Sequence, residues 1–111
     1  ILDECVAIHK RVLKGRVWVA LHMHAGDGNV HTNLPVNSDD YEMLQTAHQA
    51  VSRIMVLARS LDGVISGEHG IGYVQKEYMD IKYPAAHINL MKGIKAVFDP
   101  NYILNPGKIF N

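Results

Sequence analysis

The sequence predicts an α+β fold in which an antiparallel sheet is covered on one face by helices. Two observations predict it. Apolar residues recur at intervals of three and four over residues 1–14, 39–60 and 84–98, the period of amphipathic helices. Between the first two of these lie two alternating runs joined by a glycine-rich turn, the pattern of a β-hairpin. With a short run at 64–66 the order is helix, hairpin, helix, strand, helix, too few strands to close a sheet alone.

Leu2, Cys5, Val6, His9, Val12 and Leu13 form the stripe of the first helix, which closes near Gly15. In residues 16–24, Val17, Val19, Leu21 and Met23 alternate with Trp18, Ala20, His22 and His24, which predicts a central strand. Ala25-Gly-Asp-Gly-Asn29 concentrates residues that accept positive φ, and the second strand follows at 30–36. Asn37 to Asp40 supply a cap and an acidic first turn for the helix at 39–60, which Leu61-Asp-Gly breaks. A strand at 64–66 leads into the loop Gly67-Glu-His-Gly-Ile-Gly72, whose polar residues between glycines shape a backbone around a ligand. The helix at 84–98 is expected to bury Ile88, Leu90, Met91, Ile94 and Val97, and residues 99–108 make two turns.

The composition excludes several function classes. At 111 residues, 48% hydrophobic and 20% charged, the chain is in the range of one small globular unit. Eleven basic residues balance eleven acidic ones, so nothing pulls a phosphate backbone to the chain as a whole, and no nucleic-acid partner is expected. The single cysteine, Cys5, excludes an intrachain disulfide, an iron–sulfur cluster and a cysteine-based zinc site. No apolar run approaches the roughly 20 residues that cross a bilayer, which predicts a soluble chain. The opening at Ile1, in mid-helical pattern, predicts a piece of a longer polypeptide.

Seven histidines are the one compositional excess. A tight hairpin folds His24 and His31 back toward one another on one face, within reach of a shared ion. Glu68, held between glycines with His69, is the natural third ligand. Two imidazoles and one carboxylate leave positions open, as in a catalytic metal site, and zinc, manganese, iron or cobalt fits. If Glu68 turns to the metal, His69 points elsewhere and is the candidate general base. Asn33, two residues beyond His31 on the same strand face, is a candidate substrate contact. Against this stands the plainer reading that a strand histidine is a hydrogen-bonded structural residue, which is retained for His9, His22, His48 and His87. The glycine loop lacks the Gly-x-Gly-x-x-Gly order and is no dinucleotide fingerprint. From spacing alone, a metal-dependent hydrolase and a non-catalytic metal-binding or oligomerisation module remain open.

Three motifs carry a family resemblance: His24-Ala-Gly-Asp-Gly-Asn-Val-His31-Thr-Asn33, Ser66-Gly-Glu-His-Gly-Ile-Gly72, and Asp99-Pro-Asn-Tyr-Ile-Leu-Asn-Pro-Gly-Lys108. Together they resemble the carboxy-terminal part of FAD-linked oxidases and dehydrogenases of the glycolate oxidase, D-lactate and D-2-hydroxyglutarate dehydrogenase type, in the vanillyl-alcohol-oxidase superfamily. The resemblance implies that residues 1–111 are the second half of a ferredoxin-like cap domain, with 99–111 a tail returning to an FAD domain outside this chain. By position it implies His24, His31 and Glu68 as ligands of a divalent metal, zinc or manganese, Asn33 as a substrate contact and His69 as proton acceptor. Asn105 and Lys108 would approach the cofactor.

The chemistry so implied is oxidation of a small 2-hydroxy acid. The metal binds the hydroxyl and carboxylate, His69 removes the hydroxyl proton, and the α-hydride passes to flavin N5, leaving a 2-oxo acid. Electrons would go on to a quinone, cytochrome or iron–sulfur partner, in a cytoplasmic protein peripheral to the inner membrane and able to form homo-oligomers. The fragment alone would be inactive. Two positions depart from the pattern: Met23 where glycine is common and Gln75 where lysine is common.

Overall fold

The computed structural model describes Asp3 and residues 19–110. The expected first helix at 1–14 and the start of the first strand, with Cys5, His9 and Trp18, lie outside the described residues. The chain divides into two compact units, residues 1–62 and 63–111.

In the first unit, β1 (Ala20–His24) and β2 (Asn29–Asn33) form an antiparallel hairpin. Its turn is tied by the Asp27 amide donating to the His24 carbonyl at 3.0 Å. Gly28, at φ +70, occupies the left-handed region; a Cβ there would meet nothing within 4 Å, so backbone conformation rather than crowding favours glycine. Helix α1 (Tyr41–Ser60) begins where expected: the Asp40 carboxylate accepts from the Met43 amide at 3.0 Å. The Asn37 side chain accepts from the Asp39 amide, folding the approach to that cap. The small core of this unit centres on Ala50, packed by Met43 and Ile54 of α1 and by Val19 and Leu34, which flank the open end of the hairpin. Alanines at 47 and 50, both buried, let the helix approach closely.

The second unit opens with a correction. Residues 64–66 are not a strand, and the sheet among the described residues has two strands. Ile65 is buried, but the segment enters the tight turn at Ser66 and Gly67, where the His69 amide donates back to the Ser66 carbonyl at 3.1 Å. A backbone committed to that turn offers no straight edge for pairing. A 3-10 turn (Lys76–Tyr78), a single helical turn α2 (Met79–Lys82) and α3 (Ala85–Phe98) follow. Pro84 precedes α3 at φ −67 as its N-cap.

Helix α3 is the second correction. Ile88 and Met91 are half-buried, but Leu90, Ile94 and Val97 are 64%, 55% and 77% exposed. Its apolar residues occupy more than one side, and within the described unit only the side carrying Ile88 and Met91 is covered. The two-stranded antiparallel sheet and three helices nevertheless place the described residues in the predicted α+β class. No helix among them is long and apolar enough to cross a membrane.

Candidate metal and substrate site

The hairpin positions the first half of the site. In its register His22 pairs with His31 and His24 with Asn29, so His24 and His31 are diagonal neighbours on one face. Their ring centres lie 5.6 Å apart with planes at 79°. Two imidazoles bound to one tetrahedral ion at ordinary metal–nitrogen distances hold their ring centres about 5 Å apart. The pair thus needs little adjustment to share an ion. Asn33 pairs with Ala20 and lies on the His31 face by alternation, as the sequence predicts.

The register also brings forward a residue that sequence reasoning left aside. His22 stands directly across from His31 on that same face, and it is exposed. The signal was available: with four turn residues between His24 and Asn29, the pairing across the hairpin follows by counting outward.

Glu68 and His69 belong to the second unit, in the turn whose flanking glycines Gly67 and Gly70 have φ of +53 and +73. Their side chains lean toward one another: His69 Nε2 lies 3.7 Å from Glu68 Oε1. The turn at 67–69 lets the two consecutive side chains share a rim, as the glycine-rich loop of the sequence allows. Both are well exposed, His69 at 70% of its side chain and Glu68 at 49%. Both side chains are thus open to what approaches this rim.

Asn105 and Lys108 lie on the tail that follows α3. Asn105 has φ +48, and the Lys108 ammonium sits 4.8 Å over the Tyr73 ring. Asp99 organises this tail. It is 3% exposed, and its carboxylate accepts from Lys95 Nζ and from the amides of Ile103 and Leu104, both at 3.0 Å. The Lys95 ammonium bonded to it holds the Asp99 carboxyl below the usual carboxylate range; burial opposes this, and the two amides reinforce it. At Gln75, the position that departs from the family pattern, the carboxamide oxygen is buried with no hydrogen-bond partner among the described residues.

Sequence comparison extends these observations. Residues 1–109 match the family described as FAD linked oxidases, C-terminal domain. The chain is 38% identical over 104 residues to the glycolate oxidase subunit GlcD of Bacillus subtilis, covering 94% of this chain and 22% of that protein. It is 42% identical over 96 residues to a D-2-hydroxyglutarate dehydrogenase of Xanthomonas citri pv. viticola, covering 85% and 20%. With D-lactate dehydrogenase [cytochrome] 1, mitochondrial, of Saccharomyces cerevisiae it shares 38% over 87 residues, covering 78% and 14%. The chain thus spans about a fifth of the length of these relatives, or less.

Proposed function

Because the chain belongs to the family of FAD-linked oxidase C-terminal domains, we propose that it is the metal- and substrate-binding C-terminal part of an FAD-dependent D-2-hydroxy acid dehydrogenase. The observation that carries this reading is the family match over residues 1–109, which includes all of His24, His31, Asn33, Glu68 and His69. Relatives named for glycolate, D-2-hydroxyglutarate and D-lactate support a small 2-hydroxy acid as substrate.

His24, His31 and Glu68 are the proposed ligands of a divalent metal, zinc or manganese. The 5.6 Å separation of the two rings suits a shared ion, and a carboxylate completes a nitrogen–oxygen donor set that such ions accept. A divalent ion there supplies Lewis acidity toward the substrate hydroxyl, and FAD, bound mainly outside this chain, supplies the electron sink.

The residues of this chain do the remaining work. His69 accepts the hydroxyl proton through an imidazole nitrogen, its exposed ring standing beside Glu68 with Nε2 3.7 Å from Oε1. Asn33 donates its amide N–H to a substrate oxygen from the His31 face of the hairpin. The tail presents Asn105 and Lys108 toward the flavin-bearing part. Electrons leave for a quinone, cytochrome or iron–sulfur partner, and the printed name of the yeast relative supports a cytochrome among these.

The test is anaerobic flavin bleaching in the full-length protein, titrated with D-lactate, glycolate and D-2-hydroxyglutarate, with and without chelator. Rapid bleaching by one acid, abolished by chelator and restored by metal, is the expected result. Absence of bound flavin overturns the reading.

A further inference from the structure

The ladder of the hairpin repeats every two residues. His24 pairs with Asn29, His22 with His31 and Ala20 with Asn33, all on one face. In an antiparallel ladder, pairs two residues apart are of the same hydrogen-bonding kind, so their side chains stand in the same relation to the opposite strand. His22 is therefore to Asn33 what His24 is to His31, a diagonal neighbour reached in the same sense. The first diagonal holds two ring centres 5.6 Å apart. The second sets an imidazole beside a carboxamide, and both residues are exposed.

Every hairpin residue already placed at the site borders His22. His24 lies two residues along its own strand, His31 directly across and Asn33 on the diagonal. A ligand that meets His24, His31 and Asn33 together lies over His22 as well. The two diagonals are about 7 Å apart, two residues at the rise of an extended strand. A hydroxy acid the size of lactate, anchored at the first diagonal, ends short of the second, whereas one the size of 2-hydroxyglutarate reaches it.

We propose that His22, together with Asn33, binds the end of the 2-hydroxy acid remote from the His24–His31 pair, and so favours a substrate whose far end carries a second carboxylate. An imidazole presents an N–H donor in either protonation state and the Asn33 carboxamide presents another, so the second diagonal offers two donors to an oxygen that the substrate must bring. A site built to hydrogen-bond such an oxygen discriminates against the analogue that lacks it. The inference rests on the hydroxy acid site proposed above and adds to it a residue that sets substrate preference.

The experiment is calorimetric titration of the full-length, metal-loaded protein with pyruvate and 2-oxoglutarate, the 2-oxo acids that correspond to the short and the long substrate. His22→Ala is expected to weaken 2-oxoglutarate about tenfold, to leave pyruvate unchanged and to keep the metal content of the parent. His22→Gln retains an N–H donor and recovers most of the loss, and His48→Ala, an exposed histidine of α1, changes neither titration. Circular dichroism verifies folding, and His22→Leu gives the same comparison should His22→Ala fail to fold. Failure of the parent protein to bind 2-oxoglutarate, equal weakening of both acids, no weakening of either, or loss of metal from the His22 variants overturns the proposal. Flavin bleaching is followed in parallel: its absence with selective 2-oxoglutarate binding intact overturns the flavoenzyme reading alone, and bleaching with unselective binding overturns the role of His22 alone.

Discussion

One helical turn separates Lys95 from Asp99, and the ammonium of the first meets the carboxylate of the second at 2.5 Å at the C-terminal end of α3. The pair does more than close a helix. With its remaining capacity Asp99 accepts two amides of the tail, so a single buried carboxylate converts residues 100–104 from a loose extension into a fixed turn.

Asp99→Asn should release that turn. A neutral carboxamide lacks the charge that binds Lys95 and can accept through only one of its two former oxygen positions. Amide hydrogen exchange at Ile103 and Leu104 is expected to accelerate by about tenfold or more, while the amides of α1 keep their protection.

The same residue sets a pH dependence. Its folded pKa lies below the ordinary carboxylate value of roughly 3.9, so its contribution is fully present above that value and is lost as pH falls through the folded pKa. Tail protection should therefore be constant from neutrality down to about pH 4 and decline below it. Exchange measured in acid checks this, and the decline should be missing from Asp99→Asn.

The proposed division of labour at the metal site separates two variants. His31→Ala removes a ligand and should lower metal content and hydroxy acid oxidation together, by about tenfold or more in metal affinity. His69→Asn should retain the metal and slow flavin reduction about a hundredfold. Metal analysis beside stopped-flow flavin absorbance distinguishes them; loss of metal from both would remove the distinction between ligand and base.

In the hairpin, two glycines differ in kind. A Cβ at either Gly26 or Gly28 would meet nothing within 4 Å, but only Gly28 has positive φ, at +70. Gly28→Ala should cost about 1–2 kcal/mol and Gly26→Ala much less, since only the first forces an L side chain into the left-handed region. Chemical denaturation of the two variants reads the difference.

Helix α1 should lose about 1 kcal/mol in Asp40→Ala, because the Met43 amide then has no side-chain acceptor. Asp40→Asn should recover most of it. Thermal melts of the three proteins suffice.

Much of this was legible in the sequence because it depends on neighbours a few residues apart. The Asp40 cap, the end of α1 at Leu61-Asp-Gly, the glycine turn of the hairpin and the start of α3 after Pro84 are all set by contacts within one or two turns of the chain. So was the nearness of His24 and His31, since a hairpin determines which residues share a face once its turn is known. The family, too, was carried by motifs that survive without any coordinates.

What only the tertiary structure decided involves partners that the local pattern does not name. Apolar content at 64–66 reads as strand, but a strand exists only where a second edge accepts its hydrogen bonds, and this segment turns instead. The stripe on α3 reads as buried, yet periodicity specifies a face and not what covers it. His69 and Glu68 approach one another because their backbone is a turn, and Asp99 organises a tail that its sequence surroundings mark only as irregular. Local spacing determined the elements; the pairing of groups distant along the chain, each requiring a specific acceptor or neighbour, was decided by the fold.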